Sequence, residues 1–120
     1  MNRTSIILGI MTLAVGGALA AQNPAAKKSA GGGAAPSVPH GKEVFEQKCA
    51  MCHYATSNEK KIGPGLKGLG KRSTFTVNKN KITDDSLRAW IENGDDLMPP
   101  FKDVIDATAI RDVIAYVKTL

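Results

Sequence analysis

The chain has 120 residues, two cysteines and a formal net charge of +5. This length is that of a single domain, which excludes a multidomain architecture. Both cysteines lie in one five-residue run, which excludes a disulfide framework in the rest of the chain. A small domain of this kind needs another source of stability.

The first twenty residues have the pattern of an export signal. Arg3 precedes an apolar stretch over residues 6–17, and Ala18-Leu19-Ala20 supplies the small side chains of a signal-peptidase site. We therefore predict a signal peptide at 1–20 and a periplasmic protein. Because the apolar core is short for a membrane span, cleavage after Ala20 is the preferred interpretation. A retained membrane anchor is the alternative.

Residues 21–39 are predicted to form a disordered linker. They are rich in Ala, Gly, Pro, Ser and Lys, with Gly31-Gly32-Gly33 in their middle, and they contain almost nothing to bury. The folded domain is predicted to span 40–120. At about 80 residues, such a domain is only marginally stable without an enlarged core.

A helix is predicted to open this domain, because Gly41, Val44, Phe45 and Lys48 follow the i, i+3, i+4 rhythm of an amphipathic helix. This helix leads directly into a Cys-x-x-Cys-His run. His40 precedes the helix, and we expect its side chain to be exposed to solvent.

The run Cys49-Ala50-Met51-Cys52-His53 is typical of covalent attachment of a c-type haem. Each thiol can add to one vinyl group, and the histidine after the second thiol falls under the iron. A zinc site would need further Cys or His ligands, and only His40 remains. A thioredoxin-like pair would need a βαβ context, and a plain disulfide would close a very short loop. These alternatives stay open.

The segment after the motif is predicted to be irregular. Gly63-Pro64-Gly65 indicates a loop, and on these residues alone an ordinary turn is the preferred interpretation. The Pro64 carbonyl is nevertheless a candidate acceptor for the ring N–H of a haem-ligating histidine. Residues 73–77 alternate polar and apolar side chains, which predicts a short extended segment.

A second helix of about ten residues is predicted between an N-cap at Thr83 and a C-cap at Gly94, with Leu87, Trp90 and Ile91 on its apolar face.

Met98 follows this helix and precedes two prolines, which exclude a helix at that point. Met1 and Met11 leave with the signal, and Met51 lies between the two cysteines, so Met98 is the candidate for the second axial ligand of the iron. A thioether ligand favours ferrous iron and raises the reduction potential. The alternative role for Met98 is packing beside the loop.

A last helix is predicted after an N-cap at Asp106, with an apolar stripe that needs a partner helix. The stripe consists of Ile110, Val113, Ile114, Val117 and Leu120. The face of the first helix around Gly41 and Phe45 is the candidate partner.

In this order, these motifs make residues 40–120 resemble a class I monohaem cytochrome c of the bacterial periplasmic type. The segments that carry the resemblance are Gly41-x-x-x-Phe45, Cys49-Ala50-Met51-Cys52-His53, Gly63-Pro64-Gly65-Leu66, Met98-Pro99 and Val113-Ile114-Ala115-Tyr116-Val117. The resemblance implies an all-α fold around one haem c bound through Cys49 and Cys52, with the N- and C-terminal helices crossing near Gly41, Phe45, Val113 and Tyr116.

The resemblance also implies the residues of the haem site. The iron would be ligated by His53 and Met98, and the His53 ring would bond the Pro64 carbonyl. Leu66 belongs to the loop that contains Pro64. Arg72 would approach a haem propionate, and Trp90 would pack on the methionine side of the haem. These residues complete the predicted site: Cys49, Cys52, His53, Pro64, Leu66, Arg72, Trp90 and Met98.

The predicted function is that of a monomeric, non-enzymatic carrier of single electrons between a donor and an acceptor protein. From Glu59 to Lys81 there are seven basic residues and one acidic residue, whereas 82–120 contains four basic and eight acidic residues. Such asymmetry favours partners with acidic docking surfaces, although it is also compatible with an ordinary solvated surface. No nucleic-acid partner is expected, and a membrane is involved only if the signal is retained. Alternatives are an anchored subunit or docking module of a larger redox complex and, with less support, a haem peroxidase or sensor.

Overall fold

The computed structural model describes residues 34–120, and in this part of the chain three α-helices surround a small apolar core. They are α1 (Val38–Lys48), α2 (Asp84–Asn93) and α3 (Ala107–Val117), with a short 3-10 helix at Leu69–Lys71 between α1 and α2. The only β pairing within the described residues is an isolated bridge between Thr74 and Lys81. The predicted all-α fold is confirmed, and the extended segment predicted at 73–77 is reduced to this bridge.

Helix α1 begins earlier than the sequence predicts. Ser37 is its N-cap, with a hydroxyl that accepts a hydrogen bond from the His40 N–H, and Pro39 lies in the first turn. A proline is tolerated there because the first N–H groups of a helix have no partner within the helix. Val38 and Pro39 therefore belong to α1, and the predicted linker at 21–39 overlaps the first two residues of this helix. The predicted signal peptide and most of the predicted linker lie outside the described residues.

Helices α1 and α3 cross in direct backbone contact. A Cβ built on Gly41 would lie 1.9 Å from the backbone oxygen of Asp112, so only glycine allows this approach. Next to it, the rings of Phe45 and Tyr116 pack with their centroids 5.5 Å apart, and Val113 is almost fully buried. The crossing predicted near these residues is confirmed. Each large apolar side chain buried there contributes roughly 1.5–3 kcal/mol.

A buried carboxylate joins the same two helices. One oxygen of Asp112 accepts a hydrogen bond from the Ser37 N–H at 2.9 Å, and the other lies 2.7 Å from His40 Nδ1. The side chain of Asp112 is only 4% exposed, and that of His40 is 48% exposed. The negative charge lies at the N-terminus of α1, where the helix dipole favours it. The prediction that His40 is solvent-exposed is therefore incomplete, because its ring is tied to α3.

Helix α2 has the predicted ends. The Thr83 hydroxyl accepts from the Ser86 N–H while the Ser86 hydroxyl accepts from the Thr83 N–H, which forms a capping box. Gly94 ends the helix at a positive φ of 66°. After Gly94 the chain turns back, and the Phe101 N–H donates to the Ile91 carbonyl at 2.9 Å. Helix α2 therefore supports the loop that contains Met98.

None of the helices in the part of the chain described by the structure is long and apolar enough to cross a bilayer.

Candidate functional site

The two thiols of the Cys-x-x-Cys-His run lie in a turn that continues from α1. The Cys49 N–H donates to the Phe45 carbonyl at 2.8 Å, and the N–H groups of Cys52 and His53 both donate to the Cys49 carbonyl at 3.0 Å. Both cysteines are half-buried free thiols, so no disulfide joins them. Burial raises the pKa of the Cys49 thiol to about 11, and the neighbouring Cys52 adds to this shift. Before haem is attached, the Cys49 thiol is therefore protonated at neutral pH.

The His53 ring is held by the loop that follows the motif. Its Nδ1 lies 2.9 Å from the Pro64 carbonyl oxygen, which can only accept, so Nδ1 carries the proton. Nε2 is then the ring nitrogen that can bind iron. The loop can approach this closely because residue 63 is glycine. A Cβ there would lie 2.3 Å from His53 Cε1.

Backbone hydrogen bonds tie this loop to the motif. The Gly63 N–H donates to the Cys52 carbonyl at 2.9 Å, and the Leu66 N–H donates to the Tyr54 carbonyl at 2.8 Å. Leu66 is half-buried and packs against the core. The segment after His53 is thus an ordered support for the imidazole rather than a passive connection.

Arg72 stabilises the far end of the same loop. Its guanidinium donates to the Gly65 carbonyl at 3.3 Å, to the Lys67 carbonyl at 2.5 Å and to Asn58 Oδ1 at 3.0 Å. It also borders a cavity of about 470 Å³. The lining residues are Asn58, Lys60, Pro64, Gly65, Arg72, Thr76 and Val77. The predicted contact of Arg72 with a haem propionate stays a prediction.

Trp90 lies on α2 and packs against Phe75, with ring centroids 5.1 Å apart. The two rings line a second cavity of about 310 Å³, to which Gly94 and Asp95 also contribute. Gly94 and Asp95 begin the loop of Met98. The structure therefore places Trp90 and the start of the Met98 loop around one cavity.

Met98 is half-buried, and its loop is organised by Asp95. Hydrogen bonds from the Met98 and Leu97 N–H groups lower the pKa of the Asp95 carboxyl.

The side chains present fit a covalently attached haem. Two free thiols can form thioethers, His53 offers an oriented Nε2, Met98 offers a soft sulfur ligand, and Gly63 leaves room against the imidazole. A zinc site would need more ligands than the two cysteines. Within residues 34–120, no group of three or more His, Cys, Asp or Glu side chains is arranged to hold a metal ion.

Three residues that support the site were not among the site residues predicted from the sequence: Gly63, Lys61 and Asp95. From the sequence, Gly63 was interpreted as part of an ordinary turn. Its close approach to the His53 ring arises only when the chain is folded. Lys61 donates to the Ala50 carbonyl inside the motif at 2.9 Å. The Asp95 carboxylate accepts hydrogen bonds from the N–H groups of Leu97 and Met98. Aspartate is favoured in this local turn pattern, so the sequence could have indicated it.

Comparisons with known proteins agree with this geometry. The profile of a family described as cytochrome c oxidase, cbb3-type, subunit III matches residues 36–117. Cytochrome c of Euglena viridis is 32% identical over 95 residues, which cover 67% of this chain and 93% of that protein. Cytochrome c6 of Synechocystis sp. is 36% identical over 83 residues, which cover 69% of this chain and 65% of that protein.

A solved structure supports the fold. Cytochrome c6 from the diatom Phaeodactylum tricornutum is similar with a TM-score of 0.56 at 24% identity, over 69% of this chain and 92% of the other. The chain therefore belongs to the class I cytochrome c family of small haem-binding electron carriers, and its one haem c is attached covalently through Cys49 and Cys52.

Proposed function

We propose that the protein is an exported carrier, with His53 and Met98 as the two axial ligands of the iron, that transfers one electron at a time between redox proteins and transforms no substrate. The observation that carries this proposal is the placement of Met98 on a loop whose backbone is hydrogen-bonded and followed by two prolines. With Met98 as a ligand, the iron would have no open coordination position of the kind that an enzyme or a gas sensor needs.

When bound, the haem supplies a reversible one-electron couple between ferric and ferrous iron. The Pro64 carbonyl accepts the His53 Nδ1 proton, which fixes the tautomer and makes Nε2 a better donor. The Met98 thioether favours the ferrous state. We assign Leu66 and Trp90 to the apolar wall that excludes water, and Arg72 to a haem propionate and the support of the Pro64 loop.

The basic segment, defined as residues 59–81, supports docking to acidic partners. Five of its lysines are exposed and form neither a salt bridge nor a side-chain hydrogen bond within the described residues: Lys60, Lys67, Lys71, Lys79 and Lys81. Exposed charges of one sign speed the encounter with a partner of opposite sign, and salt weakens this effect. We propose that donor and acceptor both use acidic surfaces to meet this segment.

A second candidate is a cytochrome subunit or docking module of a larger redox complex. The match to a family described as an oxidase subunit III favours it, and it would suit a signal that is retained as an anchor. We place the carrier in the periplasm on the basis of the predicted signal at 1–20. Mass analysis of the exported protein separates a mature N-terminus at Ala21 from a retained signal.

Substitution of the proposed distal ligand tests the carrier proposal. In Met98→Ala we expect loss of the far-red charge-transfer band of the ferric iron–thioether bond and a fall in reduction potential on the order of 100 mV, because the ligand that favours ferrous iron is gone. Met51→Ala is the matched control, since Met51 is 73% exposed and lies inside the motif. An unchanged spectrum and potential in Met98→Ala would show that another group occupies the position.

A further inference from the structure

The loop from Gly94 to Met98 folds back onto the end of α2. Gly94 has a φ of +66°, and a Cβ on it would lie 2.0 Å from the Met98 carbonyl oxygen and 2.8 Å from the Pro99 carbonyl carbon. The backbone of the methionine therefore rests directly on the helix end. The position of Met98 depends on what keeps this loop closed.

Asp95 bonds both backbone polar groups of Met98. Its Oδ1 accepts from the Met98 N–H at 2.8 Å and from the Leu97 N–H at 2.9 Å, and its own N–H donates to the Met98 carbonyl at 2.9 Å. The next two residues are prolines without an N–H. The next backbone anchor is the hydrogen bond from the Phe101 N–H to the Ile91 carbonyl. On its N-terminal side, Met98 is thus held by one residue.

We propose that Asp95 is a positioning residue for the iron–methionine bond: its carboxylate holds the Met98 backbone so that the thioether stays on ferric iron and resists replacement by other ligands. This inference rests on the proposed ligation by Met98. A thioether is a weak ligand that prefers ferrous iron, so the ferric state is where support from the loop matters most. Release of the sulfur requires the loop to open, and opening breaks the bonds to Asp95.

The proposed role depends on an acceptor oxygen rather than on charge. Asparagine has the same shape and keeps an oxygen for the two N–H groups, whereas alanine leaves both without this partner. The neighbouring Asp96 provides a control with the same charge, because its side chain forms no hydrogen bond in the described part of the chain and is exposed. Loss of charge and loss of the acceptor can therefore be separated.

The test uses the haem-loaded protein and four variants, Asp95→Ala, Asp95→Asn, Asp95→Ser and Asp96→Ala. Imidazole is mixed with each ferric protein, and the rate of methionine replacement is followed by loss of the iron–thioether band. We expect about a tenfold faster replacement in Asp95→Ala, an intermediate rate in Asp95→Ser, and rates within about twofold of the original in Asp95→Asn and Asp96→Ala.

If the unsubstituted protein has no iron–thioether band, the proposed ligation by Met98 fails, and this inference fails with it. If the band is present but Asp95→Ala and Asp96→Ala behave alike, the ligation stands and the role of Asp95 is overturned. Equal acceleration in Asp95→Asn and Asp95→Ala also overturns it. Should Asp95→Ala not retain haem, the comparison of Asp95→Ser with Asp95→Asn decides in the same way.

Discussion

Asp112 shows how a single side chain can tie together distant parts of the chain. It is the one buried charged side chain among the described residues. Burying a carboxylate is costly unless it is hydrogen-bonded. The Ser37 N–H and the His40 ring provide these bonds, 75 and 72 residues away in sequence. The carboxylate thus fixes the start of α1 on α3.

Loss of this carboxylate should therefore weaken the fold. For Asp112→Ala we expect the free energy of unfolding to fall by about 1–3 kcal/mol, because the partly buried Ser37 N–H loses its acceptor. Asp112→Asn keeps one acceptor and should cost less. The control Asp103→Ala, at an exposed position, should stay within about 0.5 kcal/mol of the original protein. Denaturant unfolding of the haem-loaded protein measures all three, and equal values for Asp112→Ala and Asp103→Ala would refute the role.

Residues whose chemistry is carried by their type and spacing could be predicted. The spacing of Cys49, Cys52 and His53 indicates covalent haem attachment. The two prolines after Met98 indicate that Met98 lies on a loop. Asp112 could not be predicted in this way. It lies off the apolar stripe of α3, and only the approach of the α1 N-terminus buries it. Contacts between residues far apart in sequence are not written in a local pattern.

At the scale of the helices, the contact between α1 and α3 determines where the motif starts. Gly41 lets the two backbones touch, and Phe45 and Tyr116 pack beside it. Cys49 follows α1 directly and bonds back to Phe45. The crossing therefore positions the first thiol through a rigid helix.

Gly41→Ala tests this crossing, because the helix contact determines whether the substitution raises or lowers the free energy of unfolding. In an exposed helix interior the change would stabilise the protein by roughly 0.5–1 kcal/mol. Here the added methyl would meet the Asp112 carbonyl, so we expect destabilisation of about 1–3 kcal/mol. Glu43→Ala, on the exposed side of α1, serves as the control. A higher melting temperature in Gly41→Ala would contradict the observed crossing.

The ends of the helices show which signals are local. The caps at Thr83, Gly94 and Asp106 were predicted correctly because each acts within a few residues of itself. The start of α1 was placed too late, since Val38 and Pro39 follow a linker-like composition. The Ser37 cap and its bond to Asp112 extend the helix to Val38.

Over the whole molecule, charge is divided along the chain. The basic segment precedes α2, and eight of the eleven acidic residues lie in 82–120. Three lysines of the described residues have internal partners: Lys42 pairs with Glu46, Lys61 donates to the Ala50 carbonyl, and Lys118 pairs with Asp84. The remaining lysines of the basic segment are available to contact a partner.

Charge reversal in the basic segment should change electron-transfer rates with small charged oxidants. We expect Lys67→Glu/Lys71→Glu to slow oxidation by anionic ferricyanide by about two- to fivefold at low salt, and the difference to shrink as ionic strength rises. Lys102→Glu is the control, since Lys102 is exposed but lies outside the segment. If Lys102→Glu has an equal effect, the basic segment has no special role in docking.

In the proposed carrier, His53 and Met98 keep the iron six-coordinate during reversible transfer of one electron. A spectroelectrochemical titration of the intact haem-loaded protein tests it most directly. We expect a single reversible one-electron transition between low-spin states, an iron–thioether band in the ferric form and no binding of carbon monoxide by the ferrous form. A high-spin ferrous spectrum, or rapid binding of carbon monoxide, would contradict it and indicate an open coordination position.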